Sequence, residues 1–85
     1  MPRARLKPIK IEMKALAKAW GYAYPTERLI QLDPRMNDKT LLDIATHETL
    51  HVVLPVLDEE AIDLAARQIA NVLTRLGFRR FPEDD

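Results

Sequence analysis

The chain of 85 residues has no cysteine, two glycines, no net charge and few aromatic residues. Without cysteine there is no disulfide, no thiolate metal site, no iron–sulfur cluster and no Cys nucleophile, so a bound metal must be held by His, Asp or Glu. A domain this small buries only about 60% of its unfolded surface, and a structural staple of another kind is expected. Zero net charge with a pI near 6.7 argues against a general nucleic-acid binder, which carries a basic excess or stripe. No apolar run approaches the ~18 residues needed to cross a bilayer, and the N-terminus lacks the apolar core of a signal peptide. A single soluble domain, residues 1–85, in the cytoplasm is the expectation.

What charge there is lies unevenly. Residues 1–18 carry Arg3, Arg5, Lys7, Lys10, Lys14 and Lys18 against Glu12 alone, whereas residues 38–63 carry seven acids against Lys39. The plain reading is a solvated basic strand face and acid-rich helix starts. The functional reading is a basic segment, residues 3–18, that docks a larger protein partner.

Hydrophobic periodicity predicts five elements. Residues 5–14 alternate, with Ile9, Ile11 and Met13 on one face, which marks a half-buried strand. Trp20, Tyr22 and Tyr24 alternate with Gly21 and Ala23 in a second strand with an aromatic face. A turn over Tyr24, Pro25, Thr26 and Glu27, with proline second, leads to a third strand over 28–33 with Ile30 and Leu32 inward. The expected fold class is α+β: a small antiparallel three-stranded sheet, ending at about residue 33, packed on two antiparallel helices. The first helix, about 38–54, is capped by Asn37 or Asp38, is apolar around most of its circumference and ends before Pro55; such a helix packs between two layers. The second, about 58–76, has Asp58 as cap and a stripe of Ile62, Ala65, Ala66, Ile69, Val72, Leu73 and Leu76, and ends at Gly77 with Phe78 as the hydrophobic contact. Residues 79–85 read as a frayed acidic tail.

Both histidines fall in one pentapeptide, His47-Glu48-Thr49-Leu50-His51. On a helix, residues four apart share a face, so the two imidazoles can converge on one cation. Glu48 lies about 100° round the helix, able to act as general base on a metal-bound water without ligating the metal. The motif arises by chance in roughly one chain in several hundred of this length. It gains weight from its helix and from using every histidine of the chain. The competing view makes His47 and His51 ordinary helix-surface residues.

A hydrolytic zinc site needs a third protein ligand and an open position, and here the ligand must be a carboxylate. A hairpin across Pro55 sets His51 level with the first turn of the second helix, where Glu59, Glu60 and Asp63 are available. Helical phase puts Glu59 beside the apolar stripe and Glu60 nearly opposite it, so Glu59 comes first, Glu60 second and Asp63 third. Favourable charge at a helix N-terminus would by itself account for all three acids.

The runs Leu29-Ile30-Gln31-Leu32-Asp33-Pro34, Leu41 through His51 and Asp58 through Ala66 resemble the compact core of gluzincin-type zinc metallopeptidases. The nearest likeness is to minimal SprT-like and ImmA/IrrE-type proteins of phages and bacteria, over residues 20–78. The resemblance implies Zn2+ held by His47, His51 and Glu59, Glu48 as base, and hydrolysis of a peptide or protein substrate. It also implies that substrate lies along an edge strand before the motif helix, which would be Leu29, Ile30, Gln31 and Leu32. The second helix follows His51 after a shorter spacer than in most gluzincins, and no third histidine follows it. Tyr22 or Tyr24 is the candidate oxyanion stabiliser, although aromatic residues at strand spacing more often serve packing. The alternative function is a zinc-stapled, non-catalytic interaction or regulatory module.

Overall fold

The computed structural model describes residues 7–80. The expected strand start at residue 5, the basic residues Arg3 and Arg5, and tail residues 81–85 lie outside them. The elements run β1 (Lys10–Met13), β2 (Gly21–Tyr24), β3 (Leu29–Leu32), α1 (Asp38–Val53) and α2 (Glu59–Arg75). The class is α+β as expected, but the sheet is mixed. Its order is β1-β3-β2, with β1 parallel and β2 antiparallel to β3.

Asp33, directly after β3, anchors this arrangement. Its carboxylate is fully buried and accepts from the Leu16 backbone N–H at 2.9 Å, while its own N–H donates to Trp20 O at 2.9 Å. The connection between β1 and β2 is thereby drawn across the end of β3, so that β1 and β2 settle on either side of it. Arg35 completes the node, donating from its backbone N–H, Nε and Nη2 to the same carboxylate. Bonded above all to the Arg35 side chain, and then to the Leu16 N–H, the carboxyl is held far below the usual carboxylate range. A depressed folded-state pKa contributes stability that is present above the unfolded value, about 3.9, and is lost as pH falls below it. Asp33→Asn is expected to melt lower at neutral pH and to flatten the fall in stability between about pH 5 and the acid extreme, as thermal unfolding across that range will read.

The strand faces differ from the expected ones. Ile30 and Leu32 are buried against α1, as expected, together with Met36 and Val52. In β2, however, the small residues Gly21 and Ala23 face α1, whereas Trp20, Tyr22 and Tyr24 are exposed. A helix can approach a strand closely only over small side chains, and this one does. The turn is also displaced by one residue: the Arg28 N–H donates to Pro25 O at 3.1 Å, and Arg28 takes φ 49°. The Arg28 guanidinium then holds Lys7 O through two bonds. Strand β1 is exposed along its whole length instead of half-buried, because α1 packs on β2 and β3 only.

Both helices begin where their caps dictate. Asn37 accepts from the Thr40 N–H and Asp58 from the Ala61 N–H, each at 2.8 Å. Leu54, ahead of Pro55, leaves the helical region. Gly77, at φ 90°, closes α2 with bonds from Gly77 N–H to Thr74 O and from Phe78 N–H to Leu73 O, both 3.0 Å. Helix α1 lies between the sheet and α2, which does not reach the sheet. Of the expected α2 stripe, Ile62 and Ala66 are buried, joined by Ala70, while Ile69, Val72 and Leu76 are exposed. A helix resting on a single neighbour buries a narrower stripe than one packed on two. Of the expected tail, Arg79 and Arg80 are described, and Arg80 Nη1 donates to Pro34 O at 3.3 Å. Among the described residues no helix is long and apolar enough to cross a membrane.

Candidate metal centre

His47 and His51 project from the α2-facing side of α1, one turn apart, with their rings edge to face and centroids 5.0 Å apart. The hairpin across Pro55 brings the first turn of α2 opposite them. Glu59 bridges the pair: Oε1 lies 2.7 Å from His47 Nε2 and Oε2 3.0 Å from His51 Nε2, while the two Nε2 atoms are 3.3 Å apart. His47, His51 and Glu59 form the one group of this kind among the described residues with donor atoms close enough to share an ion.

The donor set suits a cation by type, and its atoms lie close together. Bonds of 2.0–2.1 Å at tetrahedral angles place neighbouring donors about 3.3 Å apart; the two Nε2 atoms are at that separation, whereas the Glu59 contacts, at 2.7 and 3.0 Å, are of hydrogen-bond length. Two imidazole nitrogens with one carboxylate oxygen are ligands that suit first-row divalent metals better than calcium or magnesium, which favour oxygen. The Glu59 side chain is 69% exposed, against 15% for His47 and 26% for His51. A surface carboxylate paired with histidine contributes little by itself; an ion between them would contribute much more.

The other acids separate as helical phase anticipates. Glu60 does not join the cluster. Asp63 approaches the opposite side of the His47 ring, with Oδ1 3.9 Å from Nδ1, and its Oδ2 is held by Arg67 Nη2 at 2.8 Å. At 3.9 Å this is not a hydrogen bond.

Glu48 is half-buried and shares a pocket of about 390 Å³ with His47, His51, Glu59, Gly21, Tyr22, Ala23 and Pro25. Burial pushes its carboxyl above the ordinary value; the two imidazoles oppose the shift and Glu59 adds to it. A bound cation would act with the imidazoles, favouring the carboxylate.

Periodicity alone did not single out Gly21 as part of this site. A Cβ there would lie 2.8 Å from Ile44 Cγ2 and 3.1 Å from both Glu48 Cγ and Gln31 O. Only glycine lets α1 come near enough for Glu48 to sit against the strand. The available signal was a glycine inside an alternating run, which often marks close backbone approach. Gly21→Ala is expected to destabilise the fold by about 1–3 kcal/mol through overpacking. It should also lower any Glu48-dependent cleavage by up to about 10²-fold through misplacement, both readable from melting curves and a peptide assay.

Leu29, Ile30, Gln31 and Leu32 are not an edge. As β3 they form the central strand, paired on both sides, and cannot accept another strand. The edge beside the donor cluster is β2. Trp20 bonds to β3 through Asp33, so by alternation the backbone groups of Gly21 and Ala23 point outward at the pocket. The Tyr24 hydroxyl donates to Gln31 Oε1 at 3.1 Å on the sheet's far face, away from the cluster. Tyr22 lines the pocket, although its side chain belongs to the same outer face.

No family model, no curated protein and no solved structure matches this chain.

Proposed function

We propose that this domain is a minimal zinc-dependent peptidase. The observation that carries the reading is the convergence of His47, His51 and Glu59, with donor atoms 2.7–3.3 Å apart, beside a half-buried Glu48, in a pocket bordered by the outer edge of β2, which no other described strand covers. His47 and His51 would hold the ion from α1 and Glu59 from α2, leaving the solvent side for substrate. When bound, zinc supplies Lewis acidity, which polarises an amide carbonyl and makes water acidic enough to attack at neutral pH.

The remaining steps belong to the chain. The outward N–H and C=O groups of Gly21 and Ala23 pair with an extended peptide, fixing the scissile amide over the pocket. The Glu48 carboxylate removes the proton of the attacking water and returns it to the leaving amine nitrogen.

Protein purified without added metal supplies the test. About one zinc per chain is expected by elemental analysis, with cleavage of a mixed peptide library that a chelator removes and added zinc restores. Protein that takes up no zinc overturns the reading; stoichiometric zinc with no cleavage of any peptide leaves the metal as a staple between α1 and α2 in a non-catalytic module.

A further inference from the structure

Strand β1 is the sheet edge opposite β2, across the sheet from the donor cluster. Its ladder to β3 uses alternate residues: the Lys10 N–H donates to Arg28 O at 2.9 Å and the Lys14 N–H to Leu32 O at 3.0 Å. With a period of two, the N–H and C=O groups of Ile11 and Met13 point away from the sheet. Their side chains lie on the α1 side without cover, Ile11 63% exposed and Met13 39%. They open onto a groove of about 380 Å³ whose walls also include Leu41, Leu42 and the exposed Phe78.

Among the described residues nothing pairs with this edge; such an edge beside an apolar groove is a template for another strand, and proteins guard such edges with charge. Here the charge on the strand is mostly basic, Lys10 and Lys14 alternating with the apolar pair on the outer face. Glu12, between the lysines, is engaged by Gln31 Nε2 at 2.8 Å. Asp38 is the one acid on the wall.

We propose that β1 is a docking edge for an acidic, strand-forming segment of a protein partner. The segment's backbone pairs with Ile11 and Met13, its alternate apolar side chains enter the groove, and its intervening carboxylates meet Lys10 and Lys14. A second copy of this chain fits less well, because full antiparallel overlap about Glu12 sets Lys10 opposite the other copy's Lys14 at both ends. A nucleic acid would use neither the outward main-chain groups nor the groove. Occupation of β1 leaves β2 and the donor cluster open, so the proposal stands apart from catalysis.

Binding of two labelled, blocked peptides to the full chain tests it, one alternating Glu with Val and the other Lys with Val. The Glu peptide is expected to bind, more weakly as salt rises, and the Lys peptide is not. Ile11→Pro deletes an outward N–H and spares the ladder to β3; it should weaken binding at least about tenfold, with melting close to wild type. The Lys10→Glu, Lys14→Glu double variant should reverse the peptide preference. Equal binding of both peptides, binding of neither, or full affinity in Ile11→Pro overturns the proposal. So does displacement of the Glu peptide by duplex DNA, or a concentration-dependent dimer that Ile11→Pro abolishes.

Discussion

Glu48→Gln is expected to keep zinc at full stoichiometry while peptide cleavage falls by about 10²–10⁴-fold, the usual contribution of a positioned general base. The two halves of that result come from different atoms. The donors proposed for the cation are His47, His51 and Glu59, and the amide of glutamine replaces none of them. The shape of the pocket survives too, since Gln matches Glu in length and its Cγ can keep the contact with β2 across Gly21. What disappears is the proton acceptor, so the loss should appear in kcat more than in KM. Cleavage equal to wild type would remove Glu48 from the mechanism, and loss of zinc from the variant would make it a ligand or a structural neighbour instead.

The local features of fold and site were legible in the sequence, and the placement of strands was not. Period and spacing put His47 and His51 on one helix face, and phase ranked Glu59 above Glu60 and Asp63; helical geometry is regular enough for such angles to survive in three dimensions. The caps at Asn37, Asp58 and Gly77 were readable for the same reason, each resting on contacts within a few residues. Strand order depends instead on contacts distant in sequence. That β1 runs parallel to β3 and that Leu29–Leu32 is central rest on pairings between distant segments, among them the bond between Asp33 and the Leu16 N–H, seventeen residues apart, which no local pattern announces. The faces of β2 inverted for a related reason. Three aromatics at strand spacing look like a core face, but the partner of β2 is a closely packed helix, and only Gly21 and Ala23 leave room for it.

Zinc is expected to raise the melting temperature by roughly 15–30 °C, the largest stability effect within reach of a simple experiment. At free zinc a thousand times Kd, linkage gives about 4 kcal/mol, and a domain of this length moves roughly 4–8 °C per kcal/mol. The packing shows why α2 in particular needs it. The buried cluster of Ile30, Leu32, Met36 and Val52 joins the sheet to α1, whereas α2 contributes only Ile62 and two alanines, Ala66 and Ala70, to the buried hydrophobic residues. Alanine buries little area, so α2 is held weakly by apolar contact. In the proposed site, an ion on three donors spanning α1 and α2 would supply the connection that disulfides provide in other small domains. His47→Ala and Glu59→Gln should therefore abolish most of the zinc-dependent rise, and Glu60→Gln should retain all of it. Amide exchange should slow most along Glu59–Arg75 when zinc is added. If zinc leaves the melting curve of the wild type unchanged, or if Glu59→Gln responds as the wild type does, the three side chains do not bind a metal together.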